Sequence, residues 1–237
     1  MSVPRRLEAE LLDHLPADDP RAVRSRRDLK RVNAWMRNAN CLAALLRSHS
    51  ATRAPRTILD MGSGDGALML EVARRLAPQW RDVRVILLDQ QNIVSAATRE
   101  NFAALQWHAE PVSADVFEYL SRAPSGSIDA ITANLFLHHF TEPQLAQLLA
   151  KVSELAWLVV ACEPRRAKLV IELSRMLWVI GCNEVTVHDA VASARAGFAD
   201  AELSALWPSQ DGWELRERSA LIFNHCFVAR QTAAASE

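Results

Sequence analysis

Glycine is scarce in this chain, and three of its few glycines lie in one short segment. Of the seven glycines among 237 residues, Gly62, Gly64 and Gly66 fall within five consecutive positions. Glycine allows the backbone to turn tightly and to approach another group closely. The segment follows an apolar run and precedes a helical pattern, so it joins a predicted strand to a predicted helix. Because a helix start offers free N–H groups, such a loop is typical of a ligand site.

Composition limits the classes of protein to which the chain can belong. Half of the residues are hydrophobic, and 27 basic against 28 acidic side chains give a formal net charge of −1. These values exclude a disordered or fibrous chain, and no overall positive charge favours nucleic acid as a partner. The sequence has no secretory leader and no apolar stretch of membrane-spanning length. We therefore expect a cytoplasmic protein without membrane insertion.

The cysteines are far apart in the sequence, at Cys41, Cys162, Cys182 and Cys226. Their spacing forms neither a metal-binding pair nor a disulfide framework. We interpret them as reduced and mostly buried thiols, and we expect no metal.

Short β-branched runs alternate with helical patterns from Arg56 onward, which is typical of a parallel sheet covered by helices. Two further strands near the C-terminus are so close together that they must pair antiparallel. The predicted strands are 57–61, 83–89, 111–116, 128–134, 157–162, 213–220 and 224–230. The sequence thus predicts an α/β fold, a three-layer sandwich with a mostly parallel seven-stranded sheet closed by a C-terminal antiparallel hairpin.

Two helical additions are predicted around one main domain. Residues 1–50 are expected to form a helical N-terminal cover or lid, and the main domain is expected at 51–237 with a helical insertion at about 165–208. Between Arg21 and Arg37, seven basic residues accompany a single acid, Asp28. This run is interpreted either as a solvated helix face or as a lid over the ligand site.

Two classes of nucleoside ligand fit the glycine loop. A second apolar strand ends at Asp89, about 23 residues after the loop, where a carboxylate can accept hydrogen bonds from a ribose diol. The spacing of Gly62, Gly64 and Ala67 also satisfies a relaxed dinucleotide pattern, so an NAD-dependent oxidoreductase is one alternative. Asp60 is a poor neighbour for a pyrophosphate but a good one for an ammonium group, which favours a zwitterionic ligand.

The string Asp60-x-Gly62-x-Gly64-x-Gly66 resembles the first motif of class I S-adenosylmethionine-dependent methyltransferases, and the resemblance extends from 56 to 230. It implies a Rossmann-like enzyme in which the loop wraps the methionine part, Asp60 lies near the amino group and Asp89 holds the ribose. The resemblance also implies that Asp115 accepts from the adenine amine, although the same residue suits the N-cap of a following helix. The implied cofactor-binding residues are Asp60, Gly62, Ser63, Gly64, Gly66, Asp89, Gln90, Asp115, Val116 and Asn134, the last through its backbone carbonyl.

His138 and His139 follow the fourth predicted strand, where the chain faces the cofactor crevice. In plant-type small-molecule O-methyltransferases a histidine at this place serves as general base, and His138 is the better match. A phenol with a pKa near 10 needs such a base at neutral pH. The same residues also resemble family members that methylate carbon, where a histidine braces the loop. Both interpretations stay open.

The methyl acceptor is expected to be a small hydrophobic molecule, methylated at a phenolic or enolic hydroxyl. A narrower resemblance is to bacterial methyltransferases of polyketide or phenolic-lipid biosynthesis, which implies a role in secondary metabolism. The alternatives are a carbon methyltransferase of a quinone-like ring and a nucleoside-binding protein without turnover, and a homodimer is left open.

The apolar run after the fifth strand is either a buried helix or a pocket wall. Candidate pocket residues are Trp35, Met36, Phe136, Met176, Trp178 and His188.

Overall fold

A seven-stranded sheet runs through the middle of the protein in the computed structural model, which describes residues 3–16, 18–50 and 53–232. Its strands are β1 (Thr57–Met61), β2 (Val83–Asp89), β3 (Trp107–Ser113), β4 (Ala130–Asn134), β5 (Leu158–Pro164), β6 (Trp213–Ala220) and β7 (Asn224–Gln231). The strand order is β3-β2-β1-β4-β5-β7-β6. Strands β1 to β5 are parallel, and β7 pairs antiparallel with β5 and β6. The predicted fold class is confirmed.

Helices cover both faces of the sheet. They are α1 (Leu11–His14), α2 (Pro20–Trp35), α3 (Asn38–His49), α4 (Ala67–Leu76), α5 (Ala96–Ala104), α6 (Val116–Arg122), α7 (Glu142–Leu155), α8 (Lys168–Arg175), α9 (Glu184–Ala196) and α10 (Glu202–Ala205), with 3-10 turns at Leu137–His139 and Met176–Ile180. None of these described helices is long and apolar enough to cross a membrane.

Successive residues of the central strands face opposite layers, which produces two cores. In β1, Ile58 packs with residues of α3 and α4, whereas Leu59 packs with residues of α6 and α7. The central strands are therefore apolar nearly throughout, as expected for a parallel sheet that is covered on both faces. The same burial explains why their positions could be predicted from sequence.

The third strand differs from its predicted position. The prediction is 111–116 and the strand lies at Trp107–Ser113, whereas the other six predictions agree to within two residues. Pro111 lies inside β3, although the prediction begins the strand at this residue. Because β3 is an edge strand that pairs only with β2, a proline without an N–H group is tolerated there.

The N-terminal segments are tied to the helices beside the sheet. We call residues 3–14 the N-terminal strap. Arg5 donates to the carbonyl oxygens of Ala196 and Phe140, at 2.8 and 2.9 Å, and Asp189 of α9 accepts from the backbone N–H groups of Leu11 and Leu12. Helix α3, by contrast, buries its apolar side chains in the core beside α4 and β5.

Three of the cysteines meet in the core. The Sγ atom of Cys226 lies 3.1 Å from that of Cys41 and 4.0 Å from that of Cys162. All four cysteines are free thiols, and three are buried. Their spacing in the chain carries no signal of this contact, because β5, β7 and α3 meet only in the folded protein.

Candidate active site

A cavity of about 590 Å³ opens where β1, β2 and β4 end. Strands of an open parallel sheet bring their carboxyl ends to one edge, where ligands bind. Six of the residues predicted to hold the cofactor line this cavity together: Asp60, Gly62, Ser63, Gly64, Asp89 and Asn134. Helix α2 covers it from above and contributes Arg26, Leu29, Lys30 and Asn33 to the lining.

The glycine loop needs its glycines for two different reasons. Gly62 has a φ of 70°, and a Cβ atom there would lie 2.3 Å from the ring of Phe136, so a larger residue would clash. Gly64 has a φ of 56°, and a Cβ atom there would meet nothing within 4 Å, so its backbone borders open space. Its N–H group donates to Asp89 at 2.8 Å, which ties the loop to the end of β2.

Asp60 is a buried carboxylate that none of the described residues neutralises. Its only side-chain hydrogen bond in the described structure comes from the hydroxyl of Thr132 at 2.7 Å. Burial raises the pKa of Asp60 to about 7. The hydrogen bond from Thr132 lowers this pKa, and the nearby charge of Asp89 raises it further. A ligand ammonium group beside this carboxylate would supply the missing charge, so the site fits an amino-acid moiety.

Two further polar atoms of the cavity lack partners. The Oγ atom of Ser63 and the Oδ1 atom of Asn134 are buried and have no hydrogen-bond partner among the described residues. Buried polar atoms are normally paired in folded proteins. Together with Asp60 they offer a polar ligand three groups, so the cavity fits the zwitterionic end of S-adenosylmethionine. The sequence assigns Asn134 through its backbone carbonyl, whereas here the side-chain oxygen is unpartnered.

The remaining predicted cofactor residues lie around the cavity rather than in its wall. Gly66 is the N-cap of α4. Gln90 is exposed, and its neighbour Gln91 lines the cavity instead. Asp115 caps α6 by accepting from the N–H groups of Phe117 and Glu118, and Val116 is buried in the core. Their roles toward a cofactor stay predictions.

His138 lies under the same edge of the sheet and is held by Glu163. The Nδ1 atom of His138 is 2.8 Å from the carboxylate of Glu163, which also accepts from the backbone N–H groups of Phe136, Leu137 and His138. Since that carboxylate is an acceptor, it fixes the ring proton on Nδ1 and leaves Nε2 as the atom that can take up a proton. No sequence motif places Glu163 beside His138, because β4 and β5 become neighbours only in the folded sheet.

Glu10 of the N-terminal strap occupies the other side of the imidazole. Its carboxylate lies 3.2 Å from Nε2 of His138 and 3.4 Å from Nε2 of His139, and it accepts from the hydroxyl of Ser193. Burial by itself lowers the pKa of His138, but the hydrogen bonds to Glu10 and Glu163 outweigh it and raise the pKa to about 9. The contacts with both histidines hold the pKa of Glu10 well below its usual range despite its burial. His138 is therefore protonated at neutral pH while Glu10 is in place.

A second, apolar cavity of about 130 Å³ begins at His138. Of the predicted pocket residues, Trp35 and Met36 line it together with His138. Aliphatic side chains of α2, α8 and the turn after α8 make up much of the remaining lining, which also includes Glu10, Asp189 and Ser193. Leu29 and Leu135 line both this cavity and the larger one. The two cavities therefore adjoin at these leucines.

Four predicted pocket residues do not line the second cavity. Phe136 packs against Gly62 and the ring of Phe140. Met176 and Trp178 are exposed, and His188 pairs with Asp189 at 3.0 Å with its side chain half exposed. The apolar run after β5 is thus partly buried and partly a surface, because α8 is followed by a 3-10 turn that projects its side chains outward.

The region around the glycine loop matches a known family. Residues 58–156 match the family described as Methyltransferase domain. An uncharacterized methyltransferase of Mycobacterium bovis and two of Mycobacterium tuberculosis are each 29% identical over 110 residues, which cover 46% of this chain and 50% of theirs. The chain thus spans about half the length of the curated relatives it matches.

Solved structures share the fold over most of the chain. The plantazolicin methyltransferase BpumL, solved in complex with S-adenosylhomocysteine (SAH), is 13% identical with a TM-score of 0.65, covering 91% of this chain and 92% of its own. The mitomycin 7-O-methyltransferase MmcR is 19% identical with a TM-score of 0.61, covering 93% and 60%. An O-methyltransferase family protein from Burkholderia thailandensis is 16% identical with a TM-score of 0.61, covering 91% and 61%. At these identities the likeness concerns the fold.

The fold is that of the solved methyltransferase structures, and residues 58–156, which include the glycine loop, are similar to a methyltransferase domain. The predicted resemblance to methyltransferases is confirmed over that region. Beside the glycine-loop site, an imidazole lies between two glutamates, one of them on the N-terminal strap, at the end of the second cavity.

Proposed function

We propose that this protein transfers a methyl group from S-adenosylmethionine to a hydroxyl of a small hydrophobic molecule, phenolic or enolic, in secondary metabolism. The observation that carries the proposal is the apolar cavity that ends on His138 and adjoins the cofactor cavity at Leu29 and Leu135. A small apolar acceptor suits such a lining, and its hydroxyl would meet the imidazole of His138.

The cofactor cavity holds its ligand through groups of this chain. Asp60 would face the ammonium group, Ser63 and Asn134 would satisfy the polar end, and the glycine loop would lie against the ligand. Bound S-adenosylmethionine supplies a methyl group on a sulfonium centre. The role of the protein is to align the acceptor with that methyl group and to exclude water.

His138 would remove the acceptor's proton at Nε2, since Glu163 holds the other ring nitrogen in its protonated form. The resulting imidazolium would lie beside the Glu163 carboxylate, which stabilises its charge. Glu10 now fills the position on Nε2 that the acceptor hydroxyl would need. The proposal therefore requires the strap to withdraw Glu10 when the acceptor binds.

A second candidate is methylation at carbon, which the present contacts of His138 favour. An imidazolium held between two carboxylates can brace the loop after β4 and has no free nitrogen to accept a proton from the acceptor. In that case the acceptor would be an electron-rich, quinone-like ring, and the replacement of His138 would lower stability more than turnover.

The class of cofactor can be tested first by binding. SAH should raise the melting temperature, because it binds the native state, and NADH should not. A shift with NADH alone would contradict the methyltransferase. With a labelled methyl donor and a panel of alkylated phenols, the label should appear as an aryl methyl ether, and label in a C-methyl product would favour the second candidate.

A further inference from the structure

Large apolar side chains are exposed beside the mouth of the second cavity. We define the apolar rim as Trp35, Leu169, Met176, Trp178, Val179 and Ile180; each is between 56% and 66% exposed. Leu169 on α8 and Met176 at the start of the following turn flank Leu173 at helical spacing, and Leu173 lines the cavity. Trp35 itself lines the cavity and packs on Phe223, with ring centroids 4.7 Å apart. The rim and the acceptor site are thus one continuous apolar surface.

Basic side chains run along the edge of this rim. We define the basic ridge as Arg24, Arg27 and Arg31, which are exposed and recur with Trp35 on one face of α2 at helical spacing. Arg24 donates to the carbonyl oxygen of Gly181, which directly follows the rim's 3-10 turn, at 3.3 Å. Arg31 pairs with Asp28, whereas Arg27 has no ion pair in the described part of the chain. Lys168 adds positive charge on α8, whereas Arg175 pairs with Glu172 of the same helix at 2.7 Å.

The apolar rim, with six exposed apolar side chains beside basic ones, indicates contact with a partner. Contiguous apolar patches on a protein surface usually mark an interaction site. Tryptophan and aliphatic side chains bordered by arginine and lysine are typical of segments that lie in the interface of a lipid bilayer. The negative surface of an anionic membrane attracts such basic groups.

A second copy of the chain fits this surface poorly. The usual symmetric dimer brings the same patch of both subunits together. Helix α2 carries six basic residues against one acidic residue, so two copies would oppose like charges. Charge complementarity therefore favours an anionic partner, although the chain as a whole has a formal net charge of only −1.

We propose that the apolar rim and the basic ridge dock on the surface of an anionic lipid bilayer. Trp178, Val179 and Ile180 lie among the upper acyl chains, and the ridge contacts the phosphate groups. The mouth of the second cavity then opens toward the lipid. An amphipathic acceptor passes from the bilayer to His138 without crossing water, a consequence that rests on the proposed function, whereas the docking itself does not.

Vesicle co-sedimentation of the full chain tests the docking. We expect binding to vesicles that contain phosphatidylglycerol, weaker binding as salt increases, and little binding to phosphatidylcholine alone. Trp178→Ser combined with Ile180→Ser should weaken binding by about tenfold or more, and Trp178→Phe should retain it. Arg24→Gln and Arg27→Gln should each weaken it by about fivefold. Arg122→Gln, on α6 against the other face of the sheet, is the matched control and should change nothing.

Several outcomes would overturn the docking proposal. One is equal binding to neutral and anionic vesicles, and another is vesicle binding that the rim variants leave unchanged. A third is a wild-type dimer in sedimentation velocity that becomes a monomer in the rim variants, when neither the wild type nor the variants bind vesicles. The rim would then be a contact between two copies of the chain. SAH affinity, measured on the same samples, should be unaltered in all variants, so an unfolded variant is recognised. If the wild type binds vesicles but not SAH, only the proposed function fails.

Discussion

At the scale of single residues, Glu163 and Glu10 determine whether the imidazole of His138 can accept a proton. It is buried, held at one nitrogen by Glu163 and covered at the other by Glu10. A base must be unprotonated before it can act, and both carboxylates favour the protonated ring. The reactivity of His138 therefore depends on where Glu10 lies.

Replacement of His138 separates the two proposed roles. If it is the base, His138→Ala should lower kcat by about 10² to 10⁴ and leave SAH affinity nearly intact. Turnover of the variant should recover relative to wild type as pH approaches the acceptor's own pKa. His139→Ala is the control, because His139 contacts Glu10 but not Glu163. Wild-type turnover in His138→Ala near neutral pH would exclude His138 as the base.

Glu10→Gln should shift the pH dependence of kcat/KM. Loss of its carboxylate removes one of the two groups that raise the pKa of His138, so the pKa falls from about 9 and more of the imidazole is neutral at pH 7. The rise of kcat/KM with pH, which reports the free enzyme, should move to lower pH, and kcat/KM at pH 7 should increase by up to about tenfold for each unit of that fall. Glu8→Gln is the matched control, since Glu8 lies on the same strap and pairs with Arg195 of α9 and not with His138. An unchanged profile would contradict the covering role of Glu10.

Asp60 should make cofactor affinity depend on pH. An ammonium group binds the ionised carboxylate, so SAH should bind more tightly as pH rises through about 7, and binding below that pH should release a proton. Calorimetry in buffers of different ionisation enthalpy measures both effects. Asp60→Asn should weaken binding by about tenfold or more and remove the dependence. Thr132→Val removes a hydrogen bond that lowers the pKa of Asp60, so the rise of SAH affinity should move to higher pH. An unchanged pH profile would contradict the assignment of this titration to Asp60.

At the scale of elements, α2 and α3 have different roles although they are neighbours in sequence. Helix α2 lies over the cofactor cavity, where Lys30 pairs with Asp65 at 2.5 Å, and Leu29 and Trp35 reach the acceptor cavity. Helix α3 buries Leu42 and Leu46 in the core. The strap before them makes mainly polar contacts with α9 and the turn after β4.

Two truncations should separate these roles. Removal of residues 1–14 should leave the chain folded, with a melting temperature a few degrees lower and SAH binding retained. Removal of residues 1–40 also deletes Asn38, whose side chain accepts from Asn224 in the core, and should destabilise the fold strongly. Melting curves and SAH titrations of both truncations measure this. Equal stability of the two would show that the start of α3 contributes nothing to the core.

At the scale of the whole molecule, two neighbouring cavities join elements that are distant in sequence. The larger is built from the ends of β1, β2 and β4 and is covered by α2, and the smaller lies between α2, α8 and α9. Leu29 and Leu135, which lie on α2 and directly after β4, border both. The position of α2 therefore determines whether ligands in the two cavities can meet.

The sequence alone determined the fold class, most strand positions and the residues of the glycine loop. These features are local, since a strand buried on both faces is a short apolar run and a tight ligand loop needs glycine where φ is positive. Residues such as Asp60 and Asp89 then follow from strand ends that meet at one edge of the sheet. The edge strand β3 was misplaced because it is only partly buried and contains a proline.

Only the tertiary structure decided which side chains face one another across long sequence distances. Glu10 covers His138 and three cysteines meet in the core, and no local pattern specifies either contact. The outward position of Trp178, on a run that a sequence assigns equally well to the core, is likewise set by how α8 packs on α9. Hydrophobic periodicity determines which face of a helix or strand is apolar, but the element that covers this face depends on how the whole chain packs.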